Sequence, residues 1–140
     1  MLKFNRTKGF SLMELLLVIA IIGIITAIAI PTFSGQRRRA RIIGDAQSNA
    51  KVIQMALETR RADMGIYGQP GANYTYKADG TRPSDDIIPA FTPKGNSRMD
   101  YIITIGDTGL TYDIAVGDPS LKNAQVLTAN HLGSVKILVK

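Results

Sequence analysis

Residues 10–33 read FSLMELLLVIAIIGIITAIAIPTF, and this apolar segment decides what kind of chain it belongs to. A single acid, Glu14, lies near its start, and residues 15–30 then run for sixteen positions without a charge. Eleven of those sixteen residues are Leu, Ile or Val. Because about 17 to 25 predominantly apolar residues suffice to cross a bilayer, we predict a membrane-spanning segment here.

More than half of residues 15–30 are β-branched, which in water favours a strand. Lipid reverses this preference, because a lone span can satisfy its backbone hydrogen bonds only as a helix. Two weak points are predicted, Gly23 and Pro31, since proline removes a donor and costs an interior helix about 3 kcal/mol. A simple kink at the membrane exit fits this pattern as well as a loss of helical order.

A short basic leader precedes the apolar segment, with three cationic residues in positions 1–8, ahead of Gly9 and Phe10. Secretory signal peptides differ, because their apolar core is shorter and their small-residue cleavage site follows that core. Here the small residue lies upstream, at Gly9, and the apolar run continues into a second helical pattern. The leader is therefore of another type.

Residues 8–15, KGFSLMEL, followed by the apolar run and Pro31, resemble the class III signal of type IV prepilins and pseudopilins. The clear likeness covers residues 3–33, and a weaker likeness extends to Met64. It implies a pilin-like fold and a structural subunit of a type IV pilus that is not an enzyme. The alternative within the same family is a pseudopilin of a type II secretion or competence DNA-uptake filament.

Cleavage is the first step that the resemblance implies. Gly9 matches the residue before the cut made by prepilin peptidase, and Phe10 matches the new N-terminus, which the same enzyme methylates. Glycine suits this position, because a residue without Cβ lets a protease approach the backbone closely. The alternative is that Gly9 only forms a turn before the helix.

Glu14 is the candidate assembly residue. A cationic amine on Phe10 would lie at the positive end of a helix, and a carboxylate in the first turns offsets this by about 0.3 to 1 kcal/mol. The resemblance implies that Glu14 pairs with the N-terminal amine of a neighbouring subunit. An interfacial glutamate facing lipid headgroups is the alternative, although acids inside membranes are by default functional.

The resemblance also implies a route from membrane to filament. The precursor is a single-pass protein of the bacterial inner membrane, and the product is an extracellular filament or fimbrium. The implied partners are identical or related pilin subunits in a helical homopolymer, prepilin peptidase, and the pilus assembly machinery. In related filaments the segment that corresponds to Gly23–Pro31 loses helical order, which implies an extensible segment.

The rest of the chain predicts an α+β head. From residue 39 to Met64 the pattern is an amphipathic helix, whose apolar stripe is Ile43, Ala46, Ala50, Ile53 and Leu57. Gly65 is placed to end it as a left-handed cap. A small sheet is the expected cover for the stripe, because a helix cannot bury an apolar face on itself.

Three strand signals follow. Residues 101–105 and 110–116 flank the turn sequence 106–109, which is a hairpin pattern, and residues 134–140 alternate as well. We therefore predict an antiparallel sheet of three to four strands under the helix. Residues 72–99, rich in Pro, Gly, Asp and Asn with one short apolar element at Ile87 and Ile88, are predicted to be a surface-forming variable loop.

These patterns divide the chain into four segments. Residues 1–9 are the leader peptide, and residues 10–33 are the transmembrane and filament-core helix. Residues 34–64 form the amphipathic helix, and residues 65–140 form the head with its variable loop and sheet.

Composition excludes several chemistries. There is no cysteine, so disulfides and thiolate metal sites are ruled out, and His131 is the only histidine, which leaves no catalytic pattern. We expect no cofactor and no metal. Asp79, Asp85 and Asp86 carry hard oxygens but lack EF-hand spacing, so a solvated acidic loop is favoured over a calcium site.

The net charge of +6 falls to +3 after the leader, from 14 basic and 11 acidic residues. Four of the basic residues cluster in 37–41, directly after the apolar segment. Such a run could attract nucleic acid, but no aromatic residue interleaves with it, and anchoring at lipid headgroups is favoured. Residues 117–130 contain one acid, Asp118, and so lack the calcium loop of many major pseudopilins.

Overall fold

The computed structural model describes residues 9–95, 98–121 and 124–139, so the basic leader at positions 1–8 lies outside the described residues. One long helix, α1, is followed by strands and one short 3-10 turn at Pro119–Leu121. The bounds are α1 (Leu12–Met64), β1 (Asn73–Tyr76), β2 (Asp100–Ile105), β3 (Tyr112–Asp118), β4 (Ala124–Asn130) and β5 (Val135–Ile137).

The chain divides into two compact units, residues 1–38 and residues 39–140. In the first unit every described residue, from Gly9 to Arg38, is exposed. This unit has no core of its own among the described residues. The second unit holds the buried core, which is built from the last turns of α1, the sheet and the loop between β1 and β2.

The amphipathic stripe of α1 is confirmed with one shift. Ile42 is buried and the predicted Ile43 is only half-buried, while the rest of the predicted stripe lies in the core. The buried positions of α1 are Ile42, Ala46, Asn49, Ala50, Ile53, Gln54 and Leu57. Gly65 ends the helix as predicted, with a φ of 81° and an N–H that donates to the Arg61 carbonyl at 2.8 Å.

Asn49 is a buried polar residue that joins α1 to the rest of the unit. Its Nδ2 donates to the Lys94 carbonyl and to the Tyr101 hydroxyl, both at 2.8 Å, and its Oδ1 accepts from the Lys94 N–H at 2.9 Å. Burial raises the pKa of Tyr101 to about 12, so this hydroxyl stays neutral and available for the bond. The network fixes the loop before β2 against the helix.

The sheet is a meander with the order β1-β2-β3-β4-β5, and each strand is antiparallel to its neighbour. The predicted hairpin between β2 and β3 is confirmed. The Gly106 N–H donates to the Thr111 carbonyl at 2.9 Å, and Gly109, with a φ of 73°, closes the turn by donating to the Gly106 carbonyl. An α+β fold with a helix on an antiparallel sheet is therefore confirmed.

The sheet has five strands within the described ranges, more than the three to four predicted. Strand β1 was missed because its four residues lie in a stretch rich in Pro, Gly, Asp and Asn, and β4 was missed because its large apolar residues, Val126 and Leu127, are adjacent instead of alternating. Residues 72–99 were predicted to form a surface loop with one short apolar element, and the structure shows that they also reach into the core. They contribute core side chains, namely Tyr74, Tyr76, Ile87, Ile88, Phe91 and Met99.

A fragment that lacks residues 1–33 is expected to be soluble and to unfold cooperatively. The reason is that the buried core contains only residues from Ile42 onward. Thermal unfolding followed by circular dichroism tests this, and aggregation without a cooperative transition would contradict it.

In the same fragment, Asn49→Ala is expected to lower the free energy of unfolding by about 2 to 4 kcal/mol, because it removes a hydrogen-bonded network and leaves buried partners unsatisfied. Gln47→Ala is the matched control, since Gln47 lies on the same helix and is exposed. Urea titration should show a lower midpoint for the first variant only. Equal midpoints would show that the network does not stabilise the fold.

Candidate assembly site

The start of α1 is fixed by a capping box. The Ser11 N–H donates to Glu14 Oε2 at 3.1 Å, and the Glu14 N–H donates to Ser11 Oγ at 3.2 Å. This reciprocal pair is the Ser-x-x-Glu arrangement that satisfies two backbone donors at a helix N-terminus. The sequence interpretation of Glu14 missed Ser11, although the spacing of the two residues carried the signal.

Capping holds the Glu14 carboxylate at the positive end of the helix dipole, one turn from Phe10. A carboxylate offers about four lone-pair sites, so one N–H bond does not exhaust its capacity. The group can therefore serve the cap and a second, external donor. The capping box joins Glu14, a predicted site residue, to Ser11, and Phe10 precedes Ser11 in the sequence.

The remainder of the first unit presents apolar side chains to its surroundings. The exposed large apolar residues of the apolar segment are Phe10, Leu12, Met13, Leu15, Leu16, Leu17, Val18, Ile19, Ile21, Ile22, Ile24, Ile25, Ile28, Ile30 and Phe33. By length and composition α1 contains a window able to cross a membrane, and none of that window is buried. A helix that is apolar all round requires lipid or other helices as cover.

α1 remains helical across both predicted weak points, Gly23 and Pro31. Side-chain hydroxyls nearby bond back to the helix, as when Thr26 Oγ1 donates to the Ile22 carbonyl at 2.8 Å and Thr32 Oγ1 to the Ala29 carbonyl at 2.8 Å. These bonds supplement the helix near Pro31, but the carbonyl that loses its usual donor to the proline is that of Ala27.

Arg37 follows the apolar segment and packs against Phe33. Its guanidinium lies over the Phe33 ring at 4.9 Å from the centroid, beside a shallow groove of about 380 Å³ that Ala29, Ile30 and Ser34 also line. An arginine that lies along apolar surface while its charge stays exposed is typical of residues at a membrane boundary.

Two of the three acids that were weighed as calcium ligands, Asp79 and Asp86, have other partners. Asp86 forms an ion pair with Arg82 at 2.7 Å and accepts from the Tyr76 hydroxyl at 2.8 Å. Burial opposes ionisation of Asp86, but these hydrogen bonds outweigh it and lower the pKa of the carboxyl. The carboxylate of Asp79 accepts from a nearby backbone N–H instead. Within the described ranges, no group of three or more His, Asp or Glu could hold a metal ion.

His131 is a half-buried packing residue. Its ring contacts the Tyr112 ring edge to face, with the centroids 6.3 Å apart. The backbone N–H of His131 donates to the Tyr112 carbonyl at 3.0 Å. Asp118, the one acid of residues 117–130, is buried and accepts from the N–H and Oγ of Ser120. Both side chains therefore serve local structure.

Comparison with known proteins supplies the family. Residues 4–30 match a family model described as the prokaryotic N-terminal methylation motif. The type IV major fimbrial protein FimA of Dichelobacter nodosus is 42% identical over 107 residues, which cover 73% of this chain and 67% of that protein. The chain belongs to the type IV pilin family. No solved structure matches this pilin significantly.

The likeness extends beyond the N-terminal motif. The type IV major pilin protein PilA of Myxococcus xanthus is 33% identical over 124 residues, 87% of this pilin, but this chain spans only 44% of that protein's length. A second FimA of Dichelobacter nodosus is 31% identical, with 61% of its length covered. The matches to both proteins therefore include much of the second unit of this pilin.

Proposed function

We propose that this pilin is a structural subunit of a type IV pilus, made as a membrane-anchored precursor and assembled through the apolar segment. One observation carries the proposal: the apolar side chains of residues 10–33 are exposed, in a chain with the N-terminal methylation motif. Such a helix is stable in lipid, or in a bundle with copies of itself. Membrane anchoring and polymerisation are thus two ways to cover one surface.

The junction between Gly9 and Phe10 suits proteolysis by prepilin peptidase. Helix α1 begins at Leu12, so the bond to be cut lies outside the helix, and Phe10 is 80% exposed. Apart from its two chain neighbours, no described residue places an atom within 4 Å of where a Gly9 Cβ would be, which supports access of a protease to the backbone. Methylation of the new amine on Phe10 completes the processing that we propose.

Glu14 then neutralises the N-terminal amine of a neighbouring subunit. An amine buried among packed helices without a counter-charge carries a penalty of several kcal/mol, as broken buried ion pairs do. The capping box supports this role, because it directs the carboxylate toward the N-terminal end where a neighbour's amine would arrive. Gly23 and Pro31 lie in the same segment, and we propose that the helix between them yields when the filament is extended.

The pilus is proposed ahead of the pseudopilus because the matched relatives bear the names of major pilins and fimbrial proteins. The contact of Arg37 with Phe33 supports a lipid-headgroup role for the arginine cluster before assembly. The proposed partners are therefore the inner membrane, prepilin peptidase, the assembly machinery and other pilin subunits.

The mature protein is expected to have 131 residues, from 140 minus 9, and to begin with methylated Phe10. Intact-mass measurement on protein taken from the membrane or from sheared filaments checks both features. A mass that includes the leader would overturn the processing step.

Glu14→Ala is expected to leave insertion and cleavage intact but to abolish filaments, because removing a charge makes the span more apolar while leaving the neighbour's amine unpaired. Ser11→Ala is the matched control, since it breaks the capping box and costs about 0.5 to 2 kcal/mol of helix stability.

Filaments are counted by electron microscopy, with cleavage of each variant checked by mass. The proposal requires filaments from Ser11→Ala and none from Glu14→Ala. If the two variants behaved alike, Glu14 would be only a helix cap, and wild-type filament numbers from Glu14→Ala would remove its assembly role.

A further inference from the structure

A groove of about 600 Å³ lies between α1 and the loop of residues 87–91, entirely within the second unit. Val52, Met55 and Met64 line it from the helix, and Met55 and Met64 are 73% and 65% exposed. Exposed methionines beside an apolar loop form an adaptable surface, typical of sites that bind another molecule. We call this feature the helix–loop groove.

Two charged residues of α1, Arg60 and Asp63, also line the helix–loop groove. The Nε of Arg60 is buried and has no hydrogen-bond partner among the described residues. Because that nitrogen has essentially no exposed surface, an occupant of the groove is selected by the apolar lining and by the exposed carboxylate of Asp63. The occupant therefore needs an apolar side chain and a nearby cation.

The turn between β4 and β5, residues 130–134, offers the apolar side chain. Leu132 at its tip is 78% exposed. The Asn130 side-chain oxygen accepts from the N–H groups of Leu132 at 3.2 Å and Ser134 at 3.1 Å, and the Gly133 N–H donates to the Asn130 carbonyl at 3.0 Å. This leucine turn is thus held in one shape before any partner arrives, which lowers the entropic cost of binding.

The groove and the leucine turn belong to opposite edges of the sheet. The leucine turn joins β4 to β5, the edge strand at one side. The loop of the groove follows β1, the edge strand at the other side, and is tied to it by the contact of Phe91 with Tyr76 at 6.0 Å between ring centroids. Two different patches that complement each other across one chain favour a head-to-tail contact between copies, which propagates into a filament.

Charge also fits this pairing. Lys136 is exposed on β5, two residues after the leucine turn, and Asp63 is exposed at the groove. When Leu132 of one copy enters the groove of the next, these opposite charges can meet at the rim. Rim charges of this kind select the partner and the register of a contact more than they add affinity.

We propose that the leucine turn of one subunit docks into the helix–loop groove of the next subunit in the filament. Leu132 fills the apolar part, and Lys136 faces Asp63. The proposal rests on the proposed function, because it needs a filament, but it names a contact of the second unit that is separate from the apolar segment.

Disulfide trapping tests the contact directly, because the wild-type chain has no cysteine. Full-length Met55→Cys/Leu132→Cys protein is assembled into filaments, oxidised and run on non-reducing gels. A disulfide requires Cα atoms about 4.4 to 6.8 Å apart, so only closely apposed residues are joined. A ladder of covalent oligomers is expected.

Met55→Cys/Leu110→Cys is the matched control, since Leu110 is an exposed leucine beside the hairpin turn between β2 and β3. It should stay monomeric on the gel. Wild-type filaments are treated in parallel with a zero-length carbodiimide, and an Asp63–Lys136 linked peptide is expected by mass spectrometry, which needs no substitution.

Filaments that give neither the disulfide ladder nor the Asp63–Lys136 peptide would overturn the docking proposal and leave the filament function intact. A ladder of equal strength from the Leu110 control would overturn it too, because the trapping would then not be specific. Absence of filaments from the wild-type chain would overturn the proposed function itself, and the docking with it.

Discussion

The constraint on which the structure depends is that the apolar side chains of residues 10–33 are exposed, and no described residue of the first unit covers them. Burying a large apolar side chain is worth about 1.5 to 3 kcal/mol, so leaving residues 10–33 in water would cost on the order of tens of kcal/mol. No rearrangement inside the second unit relieves this, because its core is already filled by its own residues. The cover must come from outside, as lipid or as other helices.

That constraint also explains the capping box at the start of α1. A helix in lipid satisfies its backbone hydrogen bonds internally except at its ends, and Ser11 and Glu14 satisfy two backbone N–H groups at the end that lies in the apolar segment. In the proposed processing, the same carboxylate becomes available to a cationic amine when the leader is removed. One acid thus stabilises the helix start in the subunit and, in the proposed filament, compensates a charge that assembly would otherwise bury.

Sequence reasoning was most successful where the signal is local. Gly65 as the helix end and residues 106–109 as a hairpin turn follow from backbone chemistry within a few residues, and both were predicted. It failed for β1, which pairs with β2 across the loop of residues 77–99, and for β4, whose large apolar residues Val126 and Leu127 are adjacent instead of alternating. The burial of Asn49 was not predicted, because a polar residue is not expected on the buried face of an amphipathic helix. It is buried because its hydrogen-bond partners lie 45 and 52 positions away in the sequence. The helix–loop groove depends on such long-range packing and has no local signature.

The most direct test of the account is a reconstruction of sheared filaments by electron cryomicroscopy. The account predicts helices of residues 10–33 packed together along the filament axis, with Glu14 of one subunit beside the Phe10 amine of another and the second units outside. Filaments built only from contacts between second units, with residues 10–33 exposed or covered by lipid, would contradict it.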